Sequence, residues 1–131
     1  MIFLDTHVLV WVVADEGKLS RPAASAIRKA RFSDGIAIAD VVIWELAFLL
    51  ARGVLRTHNT IENTVENFIV RSGVIVQSIT PEIAAIAAQF PDGYPKDPID
   101  RIVGAAARAA GLALVTKDER IRDSPLVKTI W

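Results

Sequence analysis

The sequence predicts a single α/β domain spanning residues 1–131, with helices packed around a mostly parallel central sheet. Short apolar segments with strand character alternate with segments of helical character, which is the pattern of consecutive βαβ units. The strand-like segments are apolar at every position, as expected for a parallel sheet that is buried on both faces. Of the 131 residues, 52% are hydrophobic and 23% are charged, so one folded domain with a substantial core is expected.

The first half of the chain is predicted to supply two strands and four helices. The strands are IFL (Ile2 to Leu4) and IAIA (Ile36 to Ala39). Residues that commonly begin or end helices mark the helical segments. These segments are THVLVWVVA after the first strand, AASAIRKARF after the cap Ser20, VVIWELAFLL between the cap Asp40 and Gly53, and IENTVENFIVRS between the cap Thr60 and Gly73.

The second half continues the alternation. VIVQSI (Val74 to Ile79) is predicted to be the third strand, and Thr80 followed by Pro81 begins the next helix. A helix that begins at Asp97 and Pro98 ends at Gly111. The chain then closes with a fourth strand, a short helical turn and an edge strand, which are LALVT (Leu112 to Thr116), DERIRD and VKTI.

Acidic residues follow the predicted strands at one edge of the sheet. Asp5 comes directly after the first strand, and Asp118 comes two residues after the fourth. The helix that precedes the fourth strand begins at this same edge and carries Asp97 and Asp100, and Glu45 lies one turn into the helix that leaves the second strand. Ligands of open parallel sheets bind beyond the carboxyl ends of the strands. We therefore expect these five carboxylates to converge.

Each aspartate also has a purely structural interpretation. Asp97 is a strong N-cap residue, and Asp100 in the first turn is favoured by the helix dipole. Asp5 and Asp118 can likewise begin helices or turns. On this interpretation the acids only start helices and bind nothing.

Glu45 needs a different explanation, because its helix is apolar nearly all round and is therefore expected to be buried. A buried carboxylate without a partner is costly. Arg101 and Arg52 are the candidate buried partners, and a bound cation is the alternative.

Several carboxylates at one edge repel each other and raise each other's pKa values, so a positive charge is expected among them. Oxygen donors without histidine or cysteine suit Mg²⁺ or Mn²⁺ rather than zinc. Such ions can activate water for phosphodiester hydrolysis. The chain contains no cysteine, which excludes a disulfide scaffold and a thiol nucleophile.

Four segments, taken in order and spacing, resemble the motifs of PIN-domain ribonucleases. They are MIFLDTHVLVW, VVIWELAFLL, KDPIDRIVGAAA and LALVTKDERI. The similarity covers essentially the whole chain and is strongest to the VapC-type toxins of bacterial toxin–antitoxin pairs. It implies a three-layer α/β/α fold and Mg²⁺- or Mn²⁺-dependent cleavage of structured RNA such as tRNA or rRNA.

The resemblance also assigns residues. Asp5, Glu45, Asp100 and Asp118 match the four catalytic, metal-binding acids, and Asp97 matches an additional aspartate of one subgroup, which makes it a further candidate metal ligand. Two small hydroxyl residues beside the acids, Thr6 and Thr116, match positions that support them.

Partners follow from the same resemblance. It implies a homodimer, a cytoplasmic location and a cognate VapB-type antitoxin that covers the acidic pocket. DNA would be bound only through the antitoxin complex. The 15 basic and 15 acidic residues give a net charge of zero, so any RNA surface must be a local patch. No secretory signal is evident, and no apolar run has the ~20 residues of a membrane span.

Cations that flank the acid motifs are candidates for RNA phosphate contacts, namely Lys96, Arg101, Lys117 and Arg120. Arg101 is also a candidate structural partner of Glu45 or Asp97. Trp11 and Trp44 lie in helical apolar stripes, which favours core or dimer contacts over base stacking.

Two other classes of function remain open. One is phosphoryl transfer to an aspartate, as in receiver or haloacid-dehalogenase-like domains, with Lys117 as the late lysine. The second acid of a D-x-D motif is missing from LDTH, which counts against it. The other is a non-catalytic module that binds a basic peptide.

Overall fold

The computed structural model describes all residues from Met1 to Trp131 and confirms the predicted α/β architecture. Five strands form one sheet in the order β3-β2-β1-β4-β5, and every neighbouring pair is parallel. The strands are β1 (Ile2–Leu4), β2 (Ile36–Ala39), β3 (Ile75–Gln77), β4 (Leu114–Val115) and β5 (Thr129–Ile130).

Seven helices flank this sheet. Polar caps begin most of them as predicted, because the hydroxyls of Ser20, Thr60 and Thr80 accept hydrogen bonds from backbone N–H groups of the first turn. The helices are α1 (Thr6–Ala14), α2 (Arg21–Arg31), α3 (Val41–Ala51), α4 (Ile61–Ser72), α5 (Pro81–Gln89), α6 (Pro98–Ala110) and α7 (Glu119–Arg122). A 3₁₀ turn at Glu16–Lys18, which was not predicted, joins α1 to α2.

Three expectations about these elements were wrong. Asp40 does not cap α3, and its side chain instead accepts a hydrogen bond at 3.0 Å from the backbone N–H of Ile79. The third strand is an edge strand with Ile75 and Val76 exposed, so it is not buried on both faces. The helix α3 is not buried all round, because Trp44 is 58% exposed.

A single cluster of 30 buried hydrophobic residues lies between the sheet and the helices. The strand β2 is buried at all four positions, and Phe3 and Leu4 of β1 and both residues of β4 are buried as well. None of the helices is both long enough and apolar enough to cross a bilayer. The core therefore fixes the carboxyl ends of β1, β2 and β4 relative to one another.

Candidate active site at the carboxyl edge of the sheet

The acidic residues meet where the order of strands changes direction. From β1 the chain proceeds through β2 to β3 on one side, whereas β4 and β5 lie on the other side of β1. Such a switch point is where open parallel sheets bind ligands. Leu4 pairs with Val115 across β1 and β4, so the residues that follow them, Asp5 and Thr116, lie side by side.

Asp5 is buried and both of its carboxylate oxygens are engaged. The Oδ1 atom accepts a hydrogen bond from the backbone N–H of Thr6 at 2.9 Å and thereby begins α1. The Oδ2 atom accepts from the hydroxyl of Thr116 at 2.8 Å, and the same hydroxyl accepts from the backbone N–H of Asp118 at 3.0 Å. Thr116 therefore links two acids and fixes the orientation of Asp5.

Asp97 and Asp100 lie in the first turn of α6 and play different roles. Asp97 is the predicted N-cap, since its Oδ1 atom accepts from the backbone N–H groups of Ile99 at 2.8 Å and Asp100 at 3.2 Å. Pro98 occupies the first helical position, where no N–H is needed. The Asp100 carboxylate caps nothing and has one contact, at 3.3 Å from Nη2 of Arg120.

Arg120 joins the two acids on the β4 side of the site. Its Nη2 atom is 2.8 Å from Oδ2 of Asp118 and 3.3 Å from Oδ2 of Asp100. Asp118 also begins α7, because its Oδ1 atom accepts from the backbone N–H of Arg120 at 2.9 Å. These hydrogen bonds hold the pKa of Asp118 below its ordinary value.

Glu45 faces the same site from α3 without a cationic partner. Burial raises the pKa of Glu45, and the neighbouring carboxylates of Asp5 and Asp97 raise it further. The nearby Thr6 hydroxyl partly opposes this rise in pKa. This hydroxyl is buried and makes no hydrogen bond in the structure. The arginine partner predicted for Glu45 is therefore absent.

Both arginines considered for that role act elsewhere. The guanidinium of Arg52 lies 5.2 Å from the ring centroid of Phe48 on the surface of α3. Arg101 forms no ion pair with Glu45 or Asp97, so that prediction was wrong. Its three nitrogen atoms instead donate to the carbonyl oxygens of Ala87, Phe90, Pro91 and Pro95, which fastens the end of α5 and the following loop to α6. These bonds hold the guanidinium against the protein without neutralising its charge, and a contact between Arg101 and an RNA phosphate stays a prediction.

The site as a whole carries excess negative charge. The pKa of Asp100 is raised to about 7, first by burial and then by the charges of Asp5, Asp97 and Asp118. The single guanidinium of Arg120 offsets only part of this repulsion. An additional cation among these side chains would therefore be stabilised.

Metal binding fits the donor chemistry of the site but requires side chains to move. The structure has no group of three or more acidic or histidine side chains arranged to hold an ion. Arg120 lies between Asp100 and Asp118, and both carboxylate oxygens of Asp5 accept hydrogen bonds from protein donors. Oxygen donors with raised pKa values and a buried hydroxyl without a partner suit a hard divalent cation.

Two residues to which the sequence analysis assigned no role, His7 and Tyr94, contact the segments that carry the acids. Nε2 of His7 accepts a hydrogen bond from the backbone N–H of Lys117 at 2.9 Å, and burial chiefly lowers the pKa of His7. The hydroxyl of the buried Tyr94 donates to the carbonyl oxygen of Asp100 at 3.1 Å. Tyr94 also packs against Gly104, where a Cβ atom would lie 2.1 Å from its hydroxyl. For Tyr94 and its contact with Gly104, the available signals were a lone tyrosine shortly before KDPIDR and a glycine within α6.

The remaining candidate cations are spread around the site. Lys96 is exposed and lies on the rim of a cavity of ≈ 260 Å³ between α5 and α6. Lys117 extends over Trp11, with its Nζ atom 5.8 Å from the ring centroid. A lysine in that position has a cation–π contact rather than a carboxylate partner, so the phosphoryl-transfer alternative gains no support from Lys117.

Comparison of the sequence with known proteins gives a consistent result. The PIN domain family model matches residues 2–125. The chain is 34% identical over 132 aligned positions to Ribonuclease VapC22 of Mycobacterium tuberculosis, and the alignment covers 99% of this chain and 98% of that protein.

Solved structures share the fold. The VapBC2 complex of Rickettsia felis, bound to a DNA fragment from its promoter, contains a chain that superposes with a TM-score of 0.73 at 15% identity, covering 98% of this chain and 97% of that chain. The DNA-bound VapBC complex of Salmonella typhimurium gives a TM-score of 0.70 at 21% identity, with coverage of 98% and 97%.

Proposed function

Because this chain belongs to the PIN domain family, and within it to the VapC group, we propose that it is a Mg²⁺- or Mn²⁺-dependent endoribonuclease and the toxin of a toxin–antitoxin pair. The observation that carries the proposal is the state of Asp100 and Glu45. Both carboxylates cap no helix, both have raised pKa values, and both face Asp5 at the switch point of the sheet. Helix capping does not explain them, whereas a bound cation does.

The chain's own residues divide the work at the site. Asp5, Asp100, Asp118 and Glu45 would hold the metal, with Asp97 fixing the start of α6 behind them. Thr116 bonds both the Asp5 carboxylate and the Asp118 backbone N–H, and the unpartnered Thr6 hydroxyl lies near Glu45. When bound, Mg²⁺ or Mn²⁺ supplies an activated water and stabilises the leaving oxygen. The Tyr94 hydroxyl donates to the backbone carbonyl oxygen of Asp100 and so fixes the position of the first turn of α6.

We infer that the substrate is structured RNA, such as tRNA or rRNA, in the cytoplasm. A VapB-type antitoxin would neutralise the enzyme by covering the acidic pocket with a basic segment, and operator DNA would be bound through that complex. A homodimer is part of the same proposal. The stacked, exposed rings of Trp44 and Phe48, 5.1 Å apart on α3, offer an apolar surface for it.

Cleavage of RNA tests the proposal directly. Total bacterial RNA is incubated with the purified chain in Mn²⁺, Mg²⁺ or EDTA, beside Asp5→Asn and Asp100→Asn variants. We expect discrete cuts that need the metal and are lost in both variants. Glu66→Gln, which removes an exposed carboxylate from α4, is the matched control and is expected to cut normally. Equal cutting by a protein carrying both aspartate substitutions would refute the proposed site.

A further inference from the structure

Two tryptophans and two lysines form a compact surface beside the acidic site. The ring centroids of Trp11 and Trp131 are 5.7 Å apart with a tilt of 48°. The Nζ atoms of Lys18 and Lys117 lie 6.0 Å and 5.8 Å from the Trp11 centroid. These four residues, here called the Trp11 cluster, come from α1, the 3₁₀ turn, the loop after β4 and the end of the chain, so the fold alone brings them together.

The Trp11 cluster is continuous with the acidic site through His7. The imidazole ring of His7 contacts the Trp11 ring edge-on, with centroids 5.1 Å apart. On its other side, Nδ1 of His7 lies 3.8 Å from Oδ2 of Asp5. The backbone N–H of Lys117 donates to Nε2 of the same histidine. The Trp11 cluster therefore adjoins Asp5, with His7 between them.

The two lysines of the cluster are available as cations. Both side chains are exposed, and neither takes part in any of the salt bridges of the structure. Their contact with Trp11 is a cation–π interaction, which limits the freedom of the long side chains without neutralising them. By contrast, Arg120 already contacts two carboxylates.

The tryptophans supply aromatic surface at the same place. Trp11 and Trp131 are each partly exposed. Trp131 also borders a shallow, mostly polar hollow of ≈ 410 Å³, which is lined by Glu119, Arg122, Asp123 and Thr129. Aromatic rings next to free cations are the combination with which proteins bind single-stranded nucleic acid, since bases stack on the rings and phosphates contact the cations.

We propose that the Trp11 cluster binds the single-stranded RNA segment that flanks the cleaved phosphate, with Lys18 and Lys117 contacting phosphates and the tryptophans contacting bases. The inference rests on the proposed ribonuclease function and names its substrate surface. It differs from the interpretation favoured by the sequence, in which Trp11 makes core or dimer contacts rather than stacking on bases. A strand that enters a site with excess negative charge needs such adjacent cations, because the acids themselves repel its phosphates.

Binding without cleavage tests the surface. A fluorescein-labelled single-stranded oligouridylate is titrated with the full chain carrying Asp100→Asn, in EDTA, and the Kd is read from fluorescence anisotropy. We expect Lys18→Ala with Lys117→Ala to weaken binding about tenfold. The slope of log Kd against log salt concentration is expected to fall by about 1.4, at about 0.7 for each lost contact to a single strand.

A matched pair of substitutions controls for the loss of charge. Lys29 and Arg71 are exposed in the last turns of α2 and α4, at the edge of the sheet opposite the acids. Removing both with alanine changes the net charge equally and is expected to leave the affinity and salt slope unchanged. Thermal melting of each variant identifies any loss of folding.

The tryptophans report binding themselves. Trp44→Phe removes the tryptophan outside the cluster, so the remaining emission comes from Trp11 and Trp131. Quenching of this emission by the oligouridylate is expected. Trp131→Ala is expected to weaken binding at least about fivefold, as for the loss of one stacked base.

The outcomes separate the two proposals. The wild-type chain could cut RNA while the variant with Lys18→Ala and Lys117→Ala binds the oligouridylate as tightly as the control variant. That result would refute the proposed role of the Trp11 cluster and leave the proposed ribonuclease function intact. Emission that is unaltered by saturating RNA would refute that role as well. A wild-type chain that neither binds nor cuts RNA would overturn both proposals together.

Discussion

Replacing Asp100 with asparagine is expected to stabilise the metal-free protein at alkaline pH although it removes a proposed catalytic group. Asparagine preserves the size of the side chain but carries no charge. In the native structure the ionised Asp100 is partly buried among Asp5, Asp97 and Asp118, and only Arg120 contacts it. Stability therefore does not explain a charge at this position, whereas the proposed metal binding does.

The magnitude follows from the pKa of Asp100, which is raised from 3.8 to about 7. Between these values the folded state binds more protons than the unfolded chain, so this contribution to stability is fully present below pH 3.8 and is lost as pH rises through about 7. At about 1.4 kcal/mol per pH unit the full loss is about 4 kcal/mol. The Asp100 side chain is 16% exposed, and the variant also loses its ion pair with Arg120. We therefore expect Asp100→Asn to raise the free energy of unfolding by about half of this amount, about 2 kcal/mol.

Thermal melting in EDTA measures the effect. For a chain of this length, about 2 kcal/mol corresponds to a rise in Tm of about 6 °C or more at pH 8. At pH 5 the native Asp100 is largely protonated, so the gain is expected to be less than half as large. Asp92→Asn, in an exposed loop, is the control and is expected to show no such pH-dependent gain. Adding Mn²⁺ is expected to raise the Tm of the wild type and leave that of Asp100→Asn nearly unchanged.

Two results would contradict this account: Asp100→Asn melting below the wild type at pH 8, or a gain in Tm that is the same at pH 5 and pH 8. The first result would mean that the Arg120 contact outweighs the repulsion among the acids. The second would mean that the gain has a cause other than ionisation, such as improved packing.

Three further predictions concern neighbours of the acids. A glycine-to-alanine change within a helix normally stabilises it by about 1 kcal/mol. Gly104→Ala is instead expected to lower the free energy of unfolding in urea by about 1–3 kcal/mol, because the new Cβ would lie 2.1 Å from the buried Tyr94 hydroxyl. An increase in stability would contradict the packing described. Arg120→Ala is expected to lower the Tm in EDTA at pH 8 and to enlarge the stabilisation by Mn²⁺, and an unchanged response to Mn²⁺ would exclude competition for the same carboxylates. Thr116→Val leaves Asp5 without its hydroxyl donor and is expected to weaken Mn²⁺ binding at least about tenfold by calorimetry, whereas Thr116→Ser should retain it.

The order of elements was predictable because its signals are local. Asp97, Pro98 and Gly111 act within one or two turns of their own positions, and the structure places α6 between them. The left-handed conformation of Gly73 ends α4 in the same way. The meeting of Asp5 with Asp118 followed from a general property of parallel sheets rather than from any contact visible in the sequence.

Pairings between side chains distant in sequence were not predictable in this way. Arg101 was assigned an acidic partner because acids are its neighbours in sequence, yet the end of α5 presents several carbonyl oxygens without helical partners, and these satisfy it. The exposure of Trp44 was missed for a related reason. Apart from Glu45, α3 is apolar all round, so its sequence contains no polar face that would mark the side exposed to solvent.

The contacts of the acids separate those that begin helices from those that do not. Three of them, Asp5, Asp97 and Asp118, do accept hydrogen bonds from the first turns of α1, α6 and α7, as the capping interpretation requires. Asp100 and Glu45 cap nothing, and they are the two carboxylates whose pKa values are raised. Capping thus accounts for how the site is positioned, while the repulsion that remains at Asp100 and Glu45 calls for a cation that the chain supplies only in part through Arg120.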